Sequence, residues 1–186
     1  MVVDKDSANW RLFGGGGLVV AGLLWLLGVI LEVAGVVAVG GWIVIVALFL
    51  LGVALFLVAF GETGSNGAVG ASVFGKVVLV AFGLGWILFG VISLLGALGI
   101  VAPTVLGVIA AVLVVAGGIL STFAIYQRGV ARGIAKWIIA LPVAWGILWI
   151  IHILGWVSWL GAALLAGVLG ALYAITGVLY LLNRKN

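Results

Sequence analysis

Long apolar runs, separated by short polar or glycine-containing stretches, dominate the chain. Six of them are long enough to cross a bilayer, because about 20 apolar residues in a helix span roughly 30 Å of hydrocarbon. The predicted spans cover residues 12–31, 42–60, 77–95, 101–125, 137–154 and 160–182. The runs do not alternate between apolar and polar positions, which disfavours a membrane β-barrel. The pattern predicts an all-α integral membrane protein with a single membrane domain over residues 1–186.

Composition agrees with a membrane protein and excludes most soluble classes. Of the 186 residues, 67% are hydrophobic and 6% are charged, whereas a soluble domain has about 25% charged residues. The chain has no cysteine and one histidine, which excludes thiolate catalysis, zinc–thiolate sites and multi-histidine metal centres. The sequence contains neither a pair of carboxylates nor a nucleophile–base spacing that would indicate catalysis. We therefore expect no enzymatic activity, no cofactor, no metal and no nucleic-acid partner.

The basic residues all fall on one side of the predicted spans. With six spans, the eight lysines and arginines lie on the side that also holds both termini, and the other three connections carry none. Such a bias places the basic side in the cytoplasm. We expect a multi-pass protein of a prokaryotic inner membrane with both termini cytoplasmic.

Three of these basic residues, Arg128, Arg132 and Lys136, are spaced four residues apart between the fourth and fifth spans. A helix would align them on one face, where they would contact anionic lipid headgroups on the cytoplasmic side. The alternative is that they are ordinary charges that set the topology.

A two-helix unit occurs three times along the chain. Trp25, Trp86 and Trp145 lie in the first helix of each unit and are 61 and 59 residues apart, within AGLLWLLGVILEVAG, FGLGWILFGVISLLG and LPVAWGILWIIHILG. An uncharged turn and a helix rich in Gly, Ala and Val follow each time. The predicted repeats cover residues 12–61, 77–127 and 137–184. Because all three run in the same direction, we expect an approximate pseudo-threefold axis along the membrane normal.

Three tandem hairpins of this kind resemble the HdeD family of small bacterial and archaeal membrane proteins. The shared features are the tryptophan and glycines of the first helix, a short turn that contains Pro103 in the second unit, and a late glycine in the second helix (Gly118, Gly177). They cover residues 13–182, but they are apolar and of low complexity, and the first and third units lack the turn proline. The resemblance implies a six-helix inner-membrane protein, linked in some members to acid resistance, and carries over no catalytic residue.

Small residues predict where helices approach closely. Ala166 and Gly170 belong to a stripe of alanines and glycines in the last span, which favours packing against another helix of the chain. An oligomer or partner-subunit interface is the alternative. The four glycines at residues 14–17 indicate a close helix crossing or a frayed helix end.

Aromatic residues divide by depth in the membrane. Trp25, Trp86 and Trp145 lie deep in their spans, and we expect them to pack inside the bundle with their indole N–H groups directed at acceptors. Trp10 and Tyr180 lie at span ends, where we expect them at the cytoplasmic interface.

Polar residues recur at one position of the repeat. Glu32, Ser93 and His152 each follow the repeat tryptophan by seven residues, close to two helical turns, toward the outer end. Around a common axis they would form an outer polar cluster. Its histidine would respond to external acid, because histidine changes charge near neutral pH. The alternative is that Glu32 and His152 reach outer headgroups while Ser93 bonds its own backbone.

Three functions are compatible with these features. The first, which the resemblance implies, is a non-enzymatic membrane protein in envelope stress or acid tolerance. The second is a homo-oligomer or an accessory subunit of a larger respiratory or transport complex, with the small-residue and tryptophan faces as contact surfaces. The third is a small channel or carrier, which is disfavoured because no charged residue lies in the middle of a span.

Overall fold

The computed structural model describes residues 10–60, 67–128, 133–155 and 161–182. Within them, six helices are long and apolar enough to cross a membrane, which confirms the all-α class and the predicted number of spans. In chain order the helices are α1 (Gly16–Val33), α2 (Val37–Phe60), α3 (Val73–Ala97), α4 (Thr104–Arg128), α5 (Ala140–Ile153) and α6 (Ala162–Leu182). A π-helical turn, Trp10–Gly15, leads into α1, and a 3₁₀ turn, Gly133–Lys136, precedes α5.

The six helices form a closed ring in chain order. Each helix packs against its neighbours in sequence, and α6 packs against α1. Neighbouring helices are antiparallel, as the opposed positions of Gly17 and Ala54 in α1 and α2 illustrate. The rings of Trp10 and Tyr180 contact each other with centroids 5.4 Å apart. The first and last described residues therefore lie at the same end of the bundle.

One end of the bundle carries the turns between α1 and α2, α3 and α4, and α5 and α6, and we call it the turn end. The first helix of each pair is followed by a glycine with positive φ: Gly35 at 87°, Gly99 at 74° and Gly155 at 80°. Glycine adopts this left-handed conformation without steric cost. Each glycine N–H donates to the carbonyl three residues earlier, at 2.9–3.0 Å, which satisfies a carbonyl at the helix end.

The opposite end, the basic end, holds every lysine and arginine that the structure describes. Arg11 lies in the π-helical turn, Lys76 in the first turn of α3, Arg128 at the end of α4 and Lys136 before α5. The described basic residues therefore lie at one end of the bundle, as the sequence predicts.

Glycine pairs set the distance between several helices. A methyl group added at Gly52 of α2 would lie 2.6 Å from the carbonyl oxygen of Gly83 in α3, and one added at Gly83 would lie 2.7 Å from that of Gly52. Gly28 and Gly40 are opposed in the same way between α1 and α2. Small residues permit this backbone contact, which drives helix association where the surrounding lipid is as apolar as the side chains.

The run of four glycines at the start of α1 forms a close crossing, one of the two outcomes expected from the sequence. A methyl group at Gly14 would meet the backbone of Val58 in α2, and one at Gly15 would lie 3.1 Å from the carbonyl oxygen of Gly177 in α6. The π-helical turn that contains Gly14 and Gly15 thus packs against both neighbours of α1.

The small-residue stripe of α6 packs within the chain over part of its length. A methyl group at Gly170 would lie 2.9 Å from the carbonyl oxygen of Gly22 in α1, and Ala174 faces the same glycine. Both Gly170 and Ala174 are buried, whereas Ala166 is half-buried. This contact between the last and first helices closes the ring.

Helix α5 is held differently from the other helices. It is the shortest of the six at 14 residues, and a methyl group at its Gly146 would meet nothing nearer than Trp86, at 3.7 Å. The indole Nε1 of Trp145 instead donates to the carbonyl oxygen of Leu165 in α6, at 2.9 Å. Side chains, more than backbone contacts, hold α5 to α6.

Replacing Gly52 with alanine tests the glycine contacts. Because the added methyl group would lie 2.6 Å from Gly83 O, we expect Gly52→Ala to lower the free energy of unfolding by about 1–3 kcal/mol. Gly107→Ala is the matched control, because nothing lies within 4 Å of the added methyl group in α4, and alanine is favoured over glycine in a helix by about 1 kcal/mol. Circular dichroism during titration from a mild to a denaturing detergent measures both. Equal stability of the two variants would contradict the role assigned to the pair.

Candidate functional site

Aromatic side chains fill the centre of the ring. Trp25 of α1 and Trp86 of α3 are buried, and their rings meet edge to face with centroids 5.3 Å apart. Trp149 of α5 lies 6.1 Å from each of them. Tyr173 of α6 is also buried and packs perpendicular to Trp86 at 5.8 Å. These are the distances and angles that aromatic pairs favour, and they make the centre a packed core.

The third tryptophan of this aromatic centre is Trp149, and not Trp145. The two residues are four apart on α5 and both are half-buried, but Trp145 is directed at α6, where it bonds to Leu165. The sequence places both tryptophans on one side of the helix. Which of them reaches the centre depends on the rotation of α5, and the sequence does not report that rotation.

A cavity of about 450 Å³ opens between the aromatic centre and the turn end, and we call it the turn-end cavity. Five of the six helices contribute to its walls, which are mostly apolar. Its lining residues are Trp25, Val29, Glu32 and Val33 of α1, Val44 and Leu48 of α2, Ser93 of α3, Trp149 of α5, and Ala162, Ala163 and Ala166 of α6.

Two of the three polar residues identified from the sequence, Glu32 and Ser93, line this cavity. Glu32 is half-buried in the last turn of α1, and its side chain lies against the first turns of α2. A methyl group at Gly41 would be 3.7 Å from Glu32 Oε1. The start of a helix carries the positive end of its dipole, which favours a carboxylate at that place.

The third polar residue, His152, lies in the last turn of α5 and is half-buried. It is not among the described residues that line the turn-end cavity, where α5 contributes Trp149 one turn earlier. The backbone carbonyl of His152 accepts the N–H of Gly155 at 2.9 Å. The structure therefore brings Glu32 and Ser93 to one cavity, and His152 is not among the described residues of its lining.

An apolar groove adjoins the turn-end cavity on the outside of the bundle, between α1 and α6, and we call it the α1–α6 groove. It has a volume of about 380 Å³ and shares three residues with the cavity, Val29, Val33 and Ala163. Its other residues are Leu26, Ile30, Leu164, Gly167, Val168 and Ala171. All nine side chains are apolar, so the groove is suited to a hydrocarbon chain.

At the basic end, Lys136 lies beside aromatic side chains. Its Nζ is 4.5 Å from the ring centroid of Tyr126, a cation–π contact, and Tyr126 stacks with the exposed Trp137 at 4.1 Å. Arg128 is the last residue of α4, and Arg132 lies outside the described residues.

Trp10 and Tyr180, which the sequence predicts at the cytoplasmic interface, lie at the basic end of the bundle with their rings buried inside the protein. They are 2% and 0% exposed, respectively, and pack against each other. The reason is the glycine run after Trp10, which brings the start of α1 close to α2 and α6 and encloses both rings.

No protein-family model, no curated protein and no solved structure matches the chain. The resemblance to the HdeD family therefore stays a prediction. The structure defines only a broad class: in the described residues, the protein has six helices with the length and hydropathy of membrane-spanning helices.

Removing Trp86 tests whether the aromatic centre supports the fold. We expect Trp86→Ala to lower the free energy of unfolding by about 3–5 kcal/mol, because truncating a buried aromatic side chain leaves a cavity. Trp42→Ala is the control, since Trp42 is 48% exposed and exposed substitutions usually change stability by less than about 0.5 kcal/mol. Detergent titration followed by circular dichroism compares them. A Trp86→Ala protein as stable as Trp42→Ala would show that the centre is dispensable.

Proposed function

We propose that this chain is a non-enzymatic, HdeD-like protein of a prokaryotic inner membrane that binds a ligand at the turn-end cavity and acts in envelope stress or acid tolerance. The observation that carries the proposal is the composition of the cavity. Among the described residues, its walls are apolar and aromatic, with one carboxylate, Glu32, and one hydroxyl, Ser93. Concave, mostly apolar sites with a few polar groups are typical of ligand binding.

We propose further that the three hairpins are tandem repeats around an approximate threefold axis. Two features support this arrangement. A left-handed glycine follows the first helix of every hairpin, and every first helix contributes one tryptophan to the aromatic centre. The glycines are Gly35, Gly99 and Gly155, and the tryptophans are Trp25, Trp86 and Trp149. In the third hairpin, the tryptophan of the aromatic centre therefore lies four residues after the repeat position, Trp145.

In the proposed orientation, the basic end faces the cytoplasm and the turn end faces outward. The location of every described lysine and arginine at the basic end supports this orientation. Arg128, Arg132 and Lys136 would then contact anionic headgroups of the inner leaflet. The exposed Trp137 beside Lys136 and Tyr126 has the character of an interfacial anchor. The turn-end cavity would open to the outer leaflet.

A small channel or carrier has less support than a binding protein. A pathway along the bundle axis would have to pass the aromatic centre, where Trp86 and Tyr173 are fully buried. For an accessory subunit of a larger complex, the expected observation is co-purification of the chain with that complex after gentle extraction.

Cysteine labelling tests the orientation, because the chain has no native cysteine. We expect a membrane-impermeant maleimide to label Ala34→Cys, in the α1–α2 turn, on intact spheroplasts. Ser65→Cys, in the connection between α2 and α3, should react only after the membrane is opened. Labelling of Ser65→Cys from outside would reverse the proposed orientation.

Survival at low external pH tests the physiological part of the proposal. In source cells that lack the gene, we expect the parent gene to restore survival and Glu32→Gln to fail, because this change removes the only carboxylate among the described residues that line the cavity. Trp42→Phe, at an exposed position, should restore survival like the parent. His152→Ala shows whether the histidine in the last turn of α5 also contributes. If Glu32→Gln and His152→Ala both restore full survival, these residues are outer-leaflet anchors only.

A further inference from the structure

We infer that the turn-end cavity binds the ammonium group of an amphipathic ligand, whose alkyl chain lies in the α1–α6 groove. This inference rests on the proposed function and names the ligand class for its site. Three properties of the site carry it: the sign of its charge, its aromatic walls and its continuity with an apolar groove.

The charge of the cavity selects a cation. Glu32 is the only acidic residue that the structure describes, and its side chain lines the cavity. The described lysines and arginines all lie at the opposite end of the bundle. A carboxylate forms its strongest hydrogen bonds with cationic donors, whereas an anionic headgroup would meet a like charge here.

The aromatic walls favour an ammonium group over other cations. Trp25 and Trp149 both line the cavity, and their rings are 6.1 Å apart, edge to face. Tryptophan is the best aromatic partner for ammonium groups, including quaternary ones that cannot donate hydrogen bonds. Ser93 adds a hydroxyl that can accept a hydrogen bond from a primary ammonium.

The groove accounts for the rest of the ligand. Val29, Val33 and Ala163 belong to both the cavity and the α1–α6 groove, so the two spaces are adjacent. The described residues that line the groove are all apolar. The groove lies on the outer surface of two helices, where lipid surrounds the protein. A ligand with its ammonium near Glu32 would extend its alkyl chain along this surface. Both an amine-bearing membrane lipid and a single-chain amphipathic amine have this chemistry.

Direct binding of a defined probe tests the inference. The full chain, immobilised in dodecyl maltoside, is titrated with tritiated dodecyltrimethylammonium in a scintillation-proximity assay. We expect saturable binding at one site, displaced by unlabelled probe and poorly displaced by dodecanol, which has the same chain without the charge. Displacement by dodecanol as strong as by unlabelled probe would overturn the inference, because the site would then recognise only the chain.

Two variants separate the charge from the groove. Glu32→Gln should weaken binding of the probe by about tenfold, because the quaternary ammonium loses its Coulomb attraction to the carboxylate. Ala163→Leu should weaken binding by filling the space common to cavity and groove. Trp42→Phe and Ala97→Leu are the matched controls, because both positions are exposed and neither lines the cavity or the groove. Circular dichroism confirms folding of each variant. Unchanged affinity in folded Glu32→Gln or in folded Ala163→Leu would overturn the inference.

Competition distinguishes the two sources of the ligand. Displacement of the probe by phosphatidylethanolamine assigns a membrane lipid, and displacement by dodecylamine alone assigns a single-chain amine; either result supports an alkylammonium site. The assay is independent of the survival test. If Glu32→Gln loses acid survival but the parent protein does not bind the probe, the ligand class is rejected and the proposed function is kept. If the parent protein binds the probe but Glu32→Gln survives acid like the parent, the ligand class is kept and the role in acid tolerance is rejected.

Discussion

Direct backbone contact at glycine pairs is the interaction on which this bundle depends. Apolar helices in an apolar solvent gain little from burying side chains, so close packing must supply the attraction between them. Helix α1 has such contacts on both sides, through Gly28 with α2 and Gly22 with α6. These two contacts hold α1 in the ring, and α1 carries both Trp25 and Glu32. The geometry of the turn-end cavity therefore follows from where small residues lie in three helices.

The cavity combines firmly and loosely held elements. Its carboxylate and one tryptophan come from α1, which is in backbone contact with its neighbours. Its other tryptophan, Trp149, comes from α5, which is short and joined to α6 by the bond between Trp145 and Leu165. Of the helices that line the cavity, α5 thus has the fewest close backbone contacts with its neighbours. A movement of α5 would change the size of the cavity with the smallest loss of helix–helix contacts.

Hydropathy reports the length of apolar runs, so the number and approximate bounds of the helices could be predicted from the sequence. The shared spacing after the repeat tryptophans predicted an outer cluster of Glu32, Ser93 and His152, of which Glu32 and Ser93 line the turn-end cavity. Rotation of a helix about its own axis is not encoded by nearly uniform apolar sequence. For that reason Trp149 and the alanines of α6 were missed as cavity residues. The burial of Trp10 was missed because it depends on the packing of a π-helical turn.

The order of the helices around the ring has a consequence for how the chain can be connected. Every helix neighbours the next in sequence, and Trp10 contacts Tyr180, so the two described ends are already adjacent. A linker between them would create a continuous circle of six helices in which no helix has to come first. Adjacent ends of this kind are where circular permutation is tolerated. A permuted gene that begins with α3 and ends with α2 would give every helix the same two neighbours.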